Sequence, residues 1–160
     1  MNKKVILIGH FGVGKTSLVK RFVHSQFSEE YITTIGVKID KKTLTVDGVT
    51  VNLLIWDIAG ENSQQKVPKS YRLGAHGALY VFDITRPATY ENMHQEIKAL
   101  QEVMPDLPIL VMANKKDLVS TEELNETLSK IQPYNAIATS AKTGELVNEA
   151  FEELTQKMTK

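Results

Sequence analysis

The sequence of 160 residues predicts an α/β fold, a mostly parallel sheet covered by helices on both faces. From Gly77 onward, strand-length apolar runs alternate with segments of helical period, the pattern of crossover-connected parallel strands. A single Asp47-Gly48 pair separates two β-branched runs, which signals a hairpin and adds one antiparallel strand. The third observation is the run Gly9-His10-Phe11-Gly12-Val13-Gly14-Lys15-Thr16, lying directly between a buried-strand pattern and an amphipathic segment.

In chain order, Lys3 to Ile8 reads as a short buried strand. The glycine-rich run after it matches G-x-x-x-x-G-K-[ST], a loop whose successive backbone N–H groups wrap a phosphate. Close approach favours glycine there, and the helix that follows presents unpaired N-terminal donors and a positive dipole end. Gly12, Val13, Gly14, Lys15, Thr16 and Ser17 are the candidate phosphate contacts. Lys15 would reach the β- and γ-phosphates in binding and catalysis, and the Thr16 hydroxyl would ligate Mg²⁺. Ser17 to His24 carries Leu18, Val19, Phe22 and Val23 at helical spacing. Gly36 to Val46 and Val49 to Asp57 are the hairpin strands, with Val51 to Trp56 apolar enough to be nearly buried and Trp56 expected in the core. Asp57 ends that strand, where a Mg²⁺ ion beside the phosphates needs a carboxylate. Gly60 follows in a turn and can offer its backbone N–H to a γ-phosphate, a catalytic as well as a binding role.

Beyond Gly77 the expected elements are a strand from Ala78 to Phe82, a helix from about Ala88 to Met104, a strand from Ile109 to Ala113, a helix from Thr121 to Ile131, a strand from Asn135 to Ala138 and a helix from Glu145 to Lys157. Met93, Ile97, Leu100 and Met104 mark one apolar helix face; Val147, Ala150, Phe151, Leu154 and Met158 mark another. Pro105 and Pro108 close one helix and open the next strand. Ligands of such sheets bind beyond the carboxyl ends of the strands, where each motif falls. Asn114-Lys115-Lys116-Asp117 follows a buried strand, and a carboxylate there accepts two hydrogen bonds from the N1–H and amine of guanine. Adenine offers an acceptor at N1, so Asp117 selects GTP over ATP. Asn114 would brace this pocket and Lys115 would lay its stem along the base, with Leu118 next to them. Thr139-Ser140-Ala141-Lys142 completes the pocket, the Ala141 N–H facing the guanine O6 and Ser140 and Lys142 beside it.

The length suits one domain, residues 1–160. Nineteen basic side chains balance nineteen acidic ones, so the basic excess of a nucleic-acid partner is absent. The chain contains no cysteine, which excludes disulfides, thiolate zinc, a thiol nucleophile, prenylation and palmitoylation. Asn2 stands where myristoylation needs glycine, and neither a secretory signal nor a spanning segment is visible. The expectation is a cytoplasmic monomer without a direct lipid anchor. His10, His24, His76 and His94 lack metal-ligand spacing and read as structural or surface residues, with His10 the exception to watch because it lies inside the loop. Lys38, Lys41 and Lys42 read as the solvated side of an edge strand. Arg72 and Arg86 have no spacing argument that places them at the nucleotide.

The order of these motifs resembles the Ras-like small GTPases over the whole chain, closest in flavour to the Rab branch through Tyr31-Ile32-Thr33-Thr34-Ile35-Gly36 and Ser70-Tyr71-Arg72-Leu73-Gly74-Ala75-His76-Gly77. The resemblance implies a P-loop NTPase fold of the Ras-like G-domain type, with a six-stranded sheet whose hairpin strand is antiparallel. It also implies GTP/GDP and Mg²⁺ as ligands, Phe27 against the base, Tyr31 over the phosphates, and Thr34 reaching Mg²⁺ and the γ-phosphate only in the GTP state. Loss of that phosphate would release the loops around Thr34 and Gly60, which face effector, exchange-factor and activating proteins. Two positions depart from the pattern. Glu61 replaces the glutamine that orients the attacking water, and Phe11 stands where relatives carry glycine or a small residue. An ionised carboxylate accepts from water but cannot donate to phosphoryl oxygens, so slower hydrolysis and a base role for Glu61 are both open. Phe11 would crowd the space an arginine finger enters. Two functions follow: a GTP-hydrolysing switch, or a guanine-nucleotide-binding interaction module with little or no turnover. A P-loop ATPase or small-molecule kinase fits poorly because Asp117 selects guanine.

Overall fold

The computed structural model describes residues 1–27, 36–60 and 68–160. Within them six strands form one sheet in the order β2-β3-β1-β4-β5-β6. These are β1 (Asn2–Ile8), β2 (Val37–Val46), β3 (Val49–Ile58), β4 (Gly77–Asp83), β5 (Ile109–Asn114) and β6 (Ala136–Ala138). Only the β2–β3 pair is antiparallel among the described residues; β1 runs parallel to β3 and β4, and β5 to β4 and β6. The hairpin closes at Asp47 and Gly48, both at positive φ (50° and 77°), the geometry that matches the twist of the flanking strands.

Among the described residues two α-helices cover each face. Helices α1 (Lys15–His24) and α4 (Val147–Met158) pack on Val5, Leu7, Leu53, Ile55, Leu79 and Val81. Helices α2 (Met93–Val103) and α3 (Thr121–Lys130) pack on the opposite side, over Ile6, Ile8, Ala78, Tyr80 and Phe82. The period-2 alternation of β1 and β4 therefore sends successive side chains into two separate cores. All seven residues of β4 are buried, as a central parallel strand requires. A capping box at the start of α3 joins Ser120 and Glu123, each side chain bonding the other's backbone N–H at 3.2 Å.

Three expectations need correction. The helix placed from Ala88 begins at Met93, after a separate 3₁₀ turn at Pro87–Thr89. The Thr89 hydroxyl donates to the Arg86 carbonyl at 2.7 Å and accepts from the Asp83 N–H at 3.0 Å, which pins the chain into its own turn. The last helix starts at Val147 because Leu146 sits at φ 56°, outside the helical region. Trp56 lies at the half-covered flank of the sheet, with the Lys4 ammonium 3.7 Å from its ring centroid and the Tyr71 ring beside it. The lysines of β2 do belong to an edge strand, Lys38 and Lys41 being exposed.

Helix α4 is held to α1 by the stacked rings of Phe22 and Phe151, with centroids 4.0 Å apart and planes within 3°. Phe151 is fully buried, so Phe151→Ala should cost about 3–5 kcal/mol, read as a lowered urea midpoint. Ser120→Ala, which removes only one half of the capping box, should cost about 1 kcal/mol in the same assay.

Candidate functional site

Because β1, β3, β4, β5 and β6 are parallel, their carboxyl ends share one edge, and the motif segments gather there. The loop 9–14 leaves β1 and is folded tightly enough to admit only glycine at two points. A Cβ on Gly9 would lie 2.2 Å from the Val81 carbonyl oxygen, and one on Gly14, at φ 102°, would lie 2.4 Å from Asn114 Nδ2. Helix α1 then begins without a side-chain cap and without an acidic residue in its first turn, so its N–H donors and positive end serve the loop. Lys15 is buried and curls back, its Nζ donating to the carbonyls of Gly9 at 3.0 Å and His10 at 3.2 Å. Burial pushes its pKa down to about 8, offset in part by the charge of Asp57.

The Thr16 hydroxyl donates to Asp57 Oδ2 at 2.5 Å, joining α1 to the end of β3 across 41 residues. A hydroxyl and a buried carboxylate beside a phosphate loop are the hard oxygen donors that Mg²⁺ prefers, and the pair fits that ion. No cluster of three histidine, cysteine or acidic side chains able to hold a metal occurs among the described residues. Gly60 closes the same corner: a Cβ there would meet Phe11 N at 2.4 Å and the His10 carbonyl carbon at 2.6 Å. The turn after β3 therefore rests directly on the loop.

The second half of the site forms at the ends of β5 and β6. Asn114 Nδ2 donates to the Val13 carbonyl at 3.0 Å while its Oδ1 accepts from Thr139 at 3.2 Å, bridging loop, β5 and the segment after β6. Lys115, at φ 70°, sends Nζ to the Gly12 carbonyl at 3.0 Å and to Asp83 Oδ2 at 2.8 Å. Asp117 Oδ1 accepts from Ser140 at 2.8 Å, and Ser140 in turn accepts the Thr143 N–H at 3.1 Å. Ala141 is buried, and its carbonyl accepts from Arg21 Nε at 2.8 Å; Arg21 also donates to the Lys142 carbonyl. Ser17 is half-buried on α1, Phe27 packs half-buried against the α1/α4 core, and Leu118 is 61% exposed on the 3₁₀ turn after β5. Tyr31, Thr34 and Glu61 lie outside the described residues.

Sequence reasoning missed Asp83 and Arg21. Asp83 is buried at the end of β4, at the shared carboxyl edge, so topology alone could have nominated it. Arg21 carries no such signal, since its partners lie 120 residues away. Among the histidines, His24 stands 3.8 Å from Asp40, His76 Nδ1 accepts the Lys4 N–H at 2.8 Å and His94 packs on Tyr134. Arg86, placed nowhere by spacing, donates to the Phe11 carbonyl at 3.1 Å.

A parallel sheet whose first loop is built to wrap phosphate, with an Asn-x-x-Asp segment braced on that loop, defines a nucleotide-binding protein of the P-loop class. Residues 4–160 match the Ras family. The chain is 39% identical over 157 residues to Ras-related protein RABA1b of Arabidopsis thaliana, an alignment covering 94% of this chain and 72% of that protein. It is 39% identical to Ras-related protein RIC2 of Oryza sativa subsp. japonica with the same coverage, and 38% identical over 152 residues to Ras-related protein SEC4 of Saccharomyces cerevisiae, covering 92% and 71%. The chain belongs to the Ras family. It is a Rab-like small GTPase that acts as a nucleotide-dependent switch. No helix of the described residues is long and apolar enough to cross a membrane.

The Asn114 bridge is buried, and Asn114→Ala takes the amide away from both the Val13 carbonyl and the Thr139 hydroxyl. A loss of roughly 1–3 kcal/mol in unfolding free energy is expected, with faster nucleotide release as the loop loses its brace. Equilibrium urea unfolding and a nucleotide release assay check the two effects.

Proposed function

We propose that residues 1–160 form one GTP-binding domain that converts GTP and water to GDP and phosphate with Mg²⁺, and that Glu61 makes its intrinsic turnover slow. The carrying observation is the convergence of Lys15, the Thr16–Asp57 pair, the Asn114 bridge and the Asp117–Ser140 pair on the carboxyl edge of the parallel strands. Gly12 to Ser17 grip the phosphates, with Lys15 on the β- and γ-oxygens. Thr16, Thr34 and Asp57 hold Mg²⁺, which neutralises charge on the phosphates. Gly60 offers its N–H to the γ-phosphate; Asn114, Lys115, Asp117, Leu118, Ser140, Ala141 and Lys142 bind the base, with Phe27 packed on it and Tyr31 over the phosphates. Hydrolysis needs the water oriented and the equatorial oxygens stabilised. Glu61 can accept from that water, but its ionised carboxylate supplies no donor and adds negative charge beside the triphosphate. Effector, exchange-factor and activating proteins engage the loops around Thr34 and Gly60. Ile39 on β2 and Leu73 before β4 are exposed apolar side chains, at 51% and 54%.

Equilibrium binding with Mg²⁺ should show GTP and GDP held far more tightly than ATP; comparable ATP binding would overturn the guanine assignment. Single-turnover hydrolysis should run above the uncatalysed background and accelerate by roughly a hundredfold in Glu61→Gln, as restoring one oriented donor predicts. A Glu61→Gln variant slower than the parent would identify Glu61 as a base instead.

A further inference from the structure

His10 has a backbone inside the phosphate grip and a side chain fastened outside it. Its carbonyl accepts from Lys15, and Gly60 is packed against its carbonyl carbon. Its imidazole reaches α2, where Nε2 lies 2.7 Å from Glu96 Oε1. The second oxygen of that carboxylate accepts from the Tyr80 hydroxyl at 2.8 Å, and Tyr80 is fully buried in β4. Arg86 holds the neighbouring Phe11 carbonyl from the segment after β4. The side chains of His10 and Glu96 are only 33% and 37% exposed, and a buried phenol fixes the carboxylate. The pair thus has a set geometry, unlike a free surface ion pair.

We propose that Glu96 is a positioning residue for nucleotide binding, acting through His10 to hold the outer edge of the phosphate-binding loop, so that the grip on nucleotide depends on the charge state of this pair. The inference rests on the guanine-nucleotide reading of the loop. With His10 protonated the pair is neutral. With His10 neutral it leaves one net negative charge behind a loop that must accept a di- or triphosphate. Bound phosphates therefore favour the imidazolium, and by reciprocity the imidazolium tightens nucleotide binding. The charged groups that face His10 among the described residues are Glu96 from α2, Lys15 from α1 and Arg86 from the segment after β4. Tyr80 and Arg72 act on it through Glu96. The hydrogen bond to Glu96 raises the His10 pKa above the usual histidine range, against burial and the charges of Lys15 and Arg86. Burial alone would raise the Glu96 pKa, but the bonds from His10 and Tyr80 outweigh it and leave the carboxyl below its ordinary value. A histidine shifted upward contributes its full stabilisation below the ordinary histidine range and loses it as pH rises through the raised value. Nucleotide release should accelerate with rising pH across that window.

The experiment follows release of a fluorescent GDP analogue, with Mg²⁺, from the full chain between pH 5.5 and 8.5, for the parent, His10→Gln and Glu96→Gln. Both variants keep a polar contact between loop and helix, and melting of the GDP-loaded proteins is followed in parallel. Release from the parent should rise by about fivefold through the His10 titration. His10→Gln should lack that step and retain only the change common to all three proteins. Glu96→Gln should move the midpoint to lower pH, because the imidazolium has lost its counter-charge, and imidazole proton shifts should move with it. Superimposable profiles for parent and His10→Gln, or an unmoved midpoint in Glu96→Gln, would overturn the positioning role while leaving GDP binding intact. Variants that lower the melting temperature without altering the release profile would likewise reduce the pair to a structural tie. A parent that retains no GDP would overturn the nucleotide reading itself and this role with it.

Discussion

The closeness of the phosphate-binding loop to the strand ends is the constraint on which the rest of the site depends. Three glycines set it: Gly9 against the carbonyl of Val81, Gly14 against the amide of Asn114, and Gly60 against the backbone of Phe11. Each contact is shorter than a Cβ allows, and each joins the loop to a different strand end, β4, β5 and β3. Such a meeting point exists only where neighbouring strands run the same way, so the parallel sheet and the site are one geometric fact. The antiparallel β2 sits at the edge of the sheet, where its reversed direction displaces none of these ends.

Around that point the polar groups divide into two sets that share the loop. On one side Lys15 turns back onto the loop's own carbonyl at Gly9, and Thr16 pairs with Asp57 at the end of β3. On the other, Asn114 and Lys115 cross from β5 to the carbonyls of Val13 and Gly12, which fixes the Asn114–Asp117 segment relative to the glycine-rich loop. Asp83 stands under the crossing of Lys115 and balances its charge at 2.8 Å. The ammonium can therefore lie across the pocket without an uncompensated buried charge beside it.

How much of this was legible in the sequence follows from the range of the interactions involved. Local periodicity marked the strands and helices, and Asp47-Gly48 marked the hairpin because the turn's φ angles are a property of those two residues. The start of α2 was not legible, since it depends on a threonine hydroxyl reaching back to Asp83 as well as Arg86. Trp56 was only half placed for a similar reason: it packs partly buried against the α2/α3 core, its ring covered by Lys4 from β1 and by Tyr71, and no pattern within β3 shows this. The site motifs were legible as segments, and their bracing was not. Arg21 to Ala141, Lys115 to Gly12 and Asn114 to Val13 each span more than a hundred residues.

The loop itself shows why its non-glycine positions carry separate information. Glycine is demanded where the loop backbone meets the Val81 carbonyl and the Asn114 amide, but His10, Phe11 and Val13 keep side chains, and each goes to a different place. Val13 is fully buried in the α1/α4 core, Phe11 stays half-buried, and His10 is bonded to α2. These side chains decide what the loop is fastened to, while the glycines decide what it can wrap. Lys15 and His10 then present opposite electrostatic cases around the same carbonyls. Burial lowers the lysine and the charge of Asp57 partly offsets it, whereas a carboxylate at hydrogen-bond distance raises the histidine. The two basic groups thus lie on either side of the same carbonyls, Lys15 within the loop's curve and His10 fastened behind it.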